Sequence, residues 1–298
     1  MKNFEKGGHD PTADESHHSV ALPYFDVLLE KLSQGNPVAQ EAFGEYVHVG
    51  YWDNPPADVV SAAEYHQASE RVTHRMVGKT TIKDGSKVLD VGCGLGGTIK
   101  FLNERYAGCE LVGVNIDPRQ LAVARREIVE KNGNRIEFLE ADACHLPFTE
   151  PGPGFDTVLC VESIFHYRDR SAFFREAGRA LKPGGTLVIS DFVPVHSLNW
   201  FMNFVEQTFH VAGRVYGTMR IDISVPKYKK LAAASGFSVT DIEDITTNTL
   251  PTYRFFKQSF SAHLPREGRK FARATTVIEL ASRMGFLKYL ILTFEKNG

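Results

Sequence analysis

A doubly wound α/β fold on a mostly parallel sheet of seven strands is predicted from three features of the sequence. From residue 86 onward, short runs rich in β-branched residues alternate with stretches of helical period. The first of these runs ends in a glycine-rich turn that leads straight into another helical stretch. Polar residues able to hold a ligand stand just after the second and third runs, where the strands of such a sheet end. Helices between strands imply parallel pairing, because a parallel neighbour is reached only through a crossover.

Taken in order, residues 1–20 form a polar tail carrying His9, Asp10, Asp14, Glu15, His17 and His18, with no signal-peptide core. The tail is expected to be disordered, and its histidines are too loosely placed for a metal. Residues 21–80 read as a helical cap. Leu22, Phe25, Leu28, Leu29 and Leu32 repeat at helical spacing until Gly35-Asn36-Pro37 stops the run. An aromatic, glycine-broken segment follows from Phe43 to Trp52, closed by the turn Asp53-Asn54-Pro55-Pro56, and 57–77 is helical again. The core is assigned to 81–195, with strands at 87–91, 110–114, 135–139, 156–161 and 186–190 and helices at 98–105, 119–130 and 171–181. Residues 196–235 read as a lid, comprising an aromatic amphipathic stretch over 196–217 and a helix over 227–235. The last part, 236–298, returns to the core with strands at 237–242 and 289–295. Between them lies a helical insertion over about 246–286, its long helical stretch at 254–284.

Charge nearly cancels, with 34 Lys and Arg against 36 Asp and Glu. A protein that neutralises phosphates carries a basic surface, so nucleic acid is not expected as a partner. No apolar run reaches the ~20 residues needed to span a bilayer. Cys93, Cys109, Cys144 and Cys160 show no CxxC pair and no zinc spacing, which fits a reducing, cytoplasmic setting. No carboxylate–histidine cluster has ligand spacing, so no metal is expected. Oligomeric state is not legible; a homodimer is one option.

The chemistry concentrates around Val88-Leu89-Asp90-Val91-Gly92-Cys93-Gly94-Leu95-Gly96-Gly97, a strand running through a glycine turn into a helix. Gly92, Gly94 and Gly97 satisfy the GxGxxG dinucleotide pattern as readily as Gly92, Gly94 and Gly96 satisfy GxGxG. A nicotinamide site would want a carboxylate after the second strand to hold the ribose, and this chain has Asn115 there. Asp142 follows the third strand, where a carboxylate can accept from an exocyclic amine. Leu181-Lys182-Pro183-Gly184-Gly185 forms a tight turn before the fifth strand.

As a set, these motifs resemble those of the class I S-adenosylmethionine-dependent methyltransferases, over about residues 85–192. The resemblance implies a Rossmann-like methyltransferase fold with S-adenosylmethionine as cofactor. It places Asp90, Gly92 and Gly94 along the methionine part, Asn115, Ile116 and Gln120 at the ribose, and Asp142 and Ala143 at the adenine. A solvated helix position is the plainer reading of Gln120, and a turn former that of Asp142. In related enzymes a tyrosine from the N-terminal segment covers the cofactor; Tyr46 and Tyr51 both qualify, and spacing does not choose between them.

After the fourth strand, Glu162-Ser163-Ile164-Phe165-His166 resembles the Glu-(Ser/Ala)-x-x-His stretch of the tocopherol and sterol methyltransferase subgroup. His166 is the candidate base, because imidazole titrates near neutrality. Glu162 is the candidate group for stabilising positive charge or holding the cofactor. The plainer alternatives are a pocket-wall histidine and a carboxylate in an ion pair closing the cleft. A cyclopropane-type synthase would carry a Glu directly before the histidine, where Phe165 stands. The aromatic segments at 43–52, 200–216 and 250–256 favour a small, apolar or aromatic substrate, although such stripes serve equally as core. The competing functions are a nicotinamide oxidoreductase and a non-catalytic cofactor-binding scaffold.

Overall fold

The computed structural model describes residues 23–56, 60–148, 152, 154–195, 219–261 and 267–298. The polar tail over 1–20 and the aromatic stretch over 196–217 lie outside the described residues.

All seven expected strands form, in the order β3-β2-β1-β4-β5-β7-β6. They are β1 (Lys87–Val91), β2 (Glu110–Asn115), β3 (Arg135–Glu140), β4 (Phe155–Cys160), β5 (Leu181–Pro194), β6 (Phe237–Asp244) and β7 (Leu287–Lys296). Every pairing is parallel except those of β7, which runs antiparallel between β5 and β6. Strand order reverses between β1 and β4, and such a reversal opens a crevice at the carboxyl edge of a doubly wound sheet. Helices α4 (Gly97–Arg105), α5 (Pro118–Glu127) and α6 (Arg170–Ala180) make the crossovers. The central strands are buried on both faces: Val88, Leu89, Val158, Leu159, Leu187 and Val188 have no accessible surface.

Several boundaries differ from those the sequence suggested. Lys182 to Gly185 is not a separate turn before β5; pairing with β4 starts at Phe155↔Leu181, and the four residues are accommodated as an irregularity before Thr157↔Thr186. The helix placed over 57–77 is α3 (Ala62–Val77), fixed at its start by Ser61, whose Oγ accepts from the Glu64 N–H while Glu64 accepts from the Ser61 N–H. Asn36-Pro37, read as a stop, also starts a helix. After α1 (Pro23–Ser33), Asn36 caps the short α2 (Pro37–Phe43) by accepting from the Ala39 N–H. The late insertion is two helices, α8 (Thr246–Ser261) and α9 (Glu267–Arg283), following α7 (Val225–Ala234).

The N-terminal cap and the late insertion join into one roof. Trp52 N–H donates to Asn248 O and Asn248 Nδ2 donates back to Trp52 O, while Gly50 N–H donates to Thr252 Oγ1 at 2.9 Å. Tyr65 of α3 stacks on Phe255 of α8 with ring centroids 4.4 Å apart. Gly50 is needed at this seam, because a Cβ there would lie 2.6 Å from both Ala68 Cβ and the Trp52 ring.

Beneath the sheet's far half sits a buried ionic cluster. The Asp191 carboxylate, with no accessible surface, accepts from Tyr228 of α7 and faces Arg170 of α6 at 3.2 Å. Arg170→Met should cost roughly 3–5 kcal/mol, because it strands a buried charge. Thermal denaturation checks this, and a melting temperature equal to that of the wild type would refute it.

Candidate functional site

A cavity of about 350 Å³ opens at the carboxyl edge of the sheet, where strand order reverses. Its floor is the turn after β1. Gly92 and Gly94 have φ of +77° and +56°, backbone that side chains other than glycine rarely adopt. The two glycines face different neighbours. A Cβ on Gly92 would sit 2.4 Å from Ser163, whereas one on Gly94 would meet nothing nearer than Gln120 Oε1 at 3.7 Å and would project into open space. The turn is tied to β2 by Gly92 and Cys93 N–H groups donating to Val114 O.

Asp90 lines this cavity with neither carboxylate oxygen hydrogen-bonded. It is 1% exposed, and burial pushes its carboxyl up to about 7. A buried carboxylate without partners is costly, and a cationic group entering the cavity would relieve that cost. On the β2 side, Asn115 Nδ2 donates to Gln120 Oε1 at 3.0 Å, and both residues line the cavity. Gln120 is 2% exposed, so it is not the solvated helix residue that its position on an amphipathic helix allowed. Ile116 borders the same space. Past β3, Asp142 and Ala143 line the cavity too, and Asp142 Oδ1 accepts from the Cys144 N–H at 2.8 Å, so Asp142 does form the turn.

The cap closes the other side. Tyr46 packs over the glycine turn, so closely that a Cβ on Gly97 would lie 2.6 Å from its ring. Of the two candidate tyrosines, Tyr46 lines the cavity. Tyr51 does not; it is buried in the core beneath Arg75, whose guanidinium lies 4.4 Å from the ring centroid. His48 also borders the cavity, buried, its Nδ1 donating to Val49 O at 2.9 Å. Burial holds its imidazole down at about 4, so it is neutral at pH 7.

Glu162 and His166 lie on the short connection after β4, where Ile164–His166 makes one 3-10 turn. Glu162 adopts φ +48°, a left-handed conformation that costs a non-glycine residue about 1–2 kcal/mol. Its N–H donates to Ser190 Oγ, and its Oε2 accepts from the Val49 N–H at 2.6 Å and the Tyr289 hydroxyl at 2.9 Å. Neutral donors therefore hold the carboxylate, not the ion pair that closing a cleft suggested. Burial raises its carboxyl to about 8 against the effect of both donors.

Behind Glu162 and His166 lies a second, smaller chamber of about 50 Å³, walled mainly by Phe43, Phe165, Phe192, Phe256, Phe271 and Ile278. Val47, Glu162 and His166 border both spaces. The aromatic segments at 43–52 and 250–256 supply part of this wall. Phe192, Phe271 and Ile278 were not singled out from sequence, nor was Thr98 in the larger cavity; Ser163 entered only as a position of the Glu-(Ser/Ala)-x-x-His stretch.

A glycine cradle, an uncompensated buried carboxylate and polar side chains after successive parallel strands together shape a crevice suited to a ligand with a cationic group. A methyltransferase domain family matches residues 89–189. The methyltransferase GfsG of Streptomyces halstedii is 32% identical over 238 residues, covering 80% of this chain and 82% of that one. The 2-methyl-6-phytyl-1,4-hydroquinone methyltransferase of Synechocystis is 35% identical over 168 residues, 55% of this chain and 50% of that one. Among solved structures, the [4+2]-cyclase SpnF has the same fold, with a TM-score of 0.69 and 24% identity over 91% of this chain and 95% of that one. This chain belongs to the S-adenosylmethionine-dependent methyltransferases. The nicotinamide alternative falls with that finding.

Proposed function

We propose that this chain moves a methyl group from S-adenosylmethionine to a small, largely apolar acceptor whose reacting end meets the cofactor where the inner chamber joins the larger cavity. The reading is carried by one observation: Glu162 and His166 border both the glycine-floored cavity and the aromatic chamber behind it. Asp90, Gly92 and Gly94 would hold the methionine part, Asn115, Ile116 and Gln120 the ribose, Asp142 and Ala143 the adenine, and Tyr46 would cover the site. S-adenosylmethionine supplies a methyl group already activated on a sulfonium. The protein's task is then chiefly alignment, which contributes up to ~7–11 kcal/mol.

The phenylalanine wall excludes water from the acceptor and offers π-faces to positive charge. Where the acceptor must shed a proton, His166 is positioned to take it, and Glu162 to balance the charge that passes between the chambers. The four cysteines are buried and free, and no helix among the described residues is long and apolar enough to cross a membrane. We read the enzyme as cytoplasmic on the first of these facts.

The test is incubation of the protein with isotopically labelled S-adenosylmethionine and cell extract, followed by mass spectrometry. A labelled product of low polarity supports the reading. Tight cofactor binding with no S-adenosylhomocysteine formed from any extract would instead mark a binding scaffold. His166→Ala is expected to slow turnover by ~10²–10⁴-fold while leaving the cofactor Kd within about twofold. Unchanged turnover would leave His166 as chamber wall.

A further inference from the structure

Three adjacent strands converge on Glu162. Its backbone follows β4, Ser190 stands on β5, and Tyr289 on β7 lies opposite Phe192 in the β5–β7 register. The two hydroxyls lie 3.1 Å apart; Ser190 receives the Glu162 N–H, and Tyr289 donates to Glu162 Oε2. The Val49 N–H, from the segment covering the larger cavity, reaches the same oxygen. Oε2 therefore takes both hydrogen bonds, and Oε1 has none among the described residues, although Glu162 borders both chambers.

We propose that Tyr289 is a positioning residue for methyl transfer: by filling Oε2 together with the Val49 N–H, it makes Oε1 the oxygen at which Glu162 gains and loses its proton. His166 takes a proton shed by the methylated acceptor, the electron pair of the broken bond staying on the acceptor, and passes that proton to Oε1 across the junction that both residues border; His166 is neutral again and the proton then leaves from Oε1 through the larger cavity. The same clamp joins the cap to the sheet at the junction of the chambers. Other titratable groups around the carboxyl are Asp90 on β1, Asp191 on β5, Tyr253 on α8, His48 on the cap and His166 on the 3-10 turn. Asp191 raises the Glu162 carboxyl and the two donors lower it. Removing a donor thus strengthens proton binding.

The inference rests on the methyltransferase reading, but its first test needs no acceptor. Protein labelled with carbon-13 at glutamate carboxyls is titrated by NMR with S-adenosylhomocysteine bound, and Glu162→Gln identifies the resonance. Tyr289→Phe should raise the proton affinity of Glu162 roughly tenfold, the loss of one hydrogen bond to a charged group, and leave the S-adenosylhomocysteine Kd within about threefold. Tyr289→3-fluorotyrosine, a stronger donor of nearly the same shape, should shift the titration the opposite way and stands in if the phenylalanine variant does not fold. With the acceptor returned by the extract screen, Tyr289→Phe should lower turnover about tenfold at pH 7 and move the acidic limb of the pH–rate profile upward. In a Glu162→Gln background it should add nothing. An unmoved carboxyl titration, or an equal loss in the Glu162→Gln background, overturns the proposal. A wild-type protein that forms no S-adenosylhomocysteine overturns the methyltransferase reading and leaves the titration result standing.

Discussion

Gly94→Ala is expected to leave the protein folded and to weaken S-adenosylmethionine binding on the order of 100-fold. Two costs arise, and they fall on different equilibria. Alanine at φ +56° is strained by about 1–2 kcal/mol with or without ligand, so that cost falls on stability, while its methyl group projects into the open cavity rather than against protein. Intruding the methyl group into space that the ligand fills costs binding about 1–3 kcal/mol, and every 1.4 kcal/mol is a factor of ten in Kd. Gly92→Ala provides the contrast, because its Cβ would collide with Ser163 at 2.4 Å and so disturb the fold itself. Calorimetric titration of the cofactor together with thermal melts separates the two. A Gly94→Ala protein that binds normally would put the ligand elsewhere.

Asp90→Asn is expected to stabilise the cofactor-free protein at pH 8 while costing cofactor affinity about 100-fold. The sign follows from burial. The Asp90 carboxyl sits at about 7 in the folded chain against 3.8 ordinarily, so the folded state holds a proton that the unfolded state has released. Stability from this group is full below about pH 4 and is lost as pH rises to about 7, a change on the order of 4 kcal/mol. Glu162, raised from 4.5 to about 8, adds a slope of the same sign that the Asp90 variant retains. Asparagine carries no charge, so it removes the Asp90 part of the slope and also the attraction for a bound cation. Melting temperatures between pH 4 and 8, with and without cofactor, report both effects. A variant whose pH dependence matches that of the wild type would show that Asp90 is compensated in the free protein.

The core strands were legible in the sequence because each combines a β-rich run with a glycine or polar stop, and the crossover helices between them leave little choice of pairing. Helix ends were less so, although Ser61 and Glu64 carry a capping-box signal that marks the true start of α3. Asn36-Pro37 ends one helix and starts another with the same two residues. The larger cavity's polar residues could be read because each follows a strand of the parallel sheet. The inner chamber could not. Phe192 comes from the last residues of the interior strand β5 and Ile278 from a late helix, and nothing in their local period says which end of the molecule they face. Tyr51 shows the same limit, since its spacing matched that of Tyr46 while its ring entered the core.

The seam between Trp52 and Asn248 joins stretches of chain nearly two hundred residues apart. During synthesis α3 can settle on α4 and the sheet through Val72, Met76 and Val77, but the face that Trp52 and Tyr65 turn toward α8 stays uncovered until α8 emerges. Such distant partners slow folding, because the intervening chain must be ordered before they meet. Retention on an immobilised cofactor analogue would then select chains that have reached their last strand, and nascent chains ending before Asn248 should pass through.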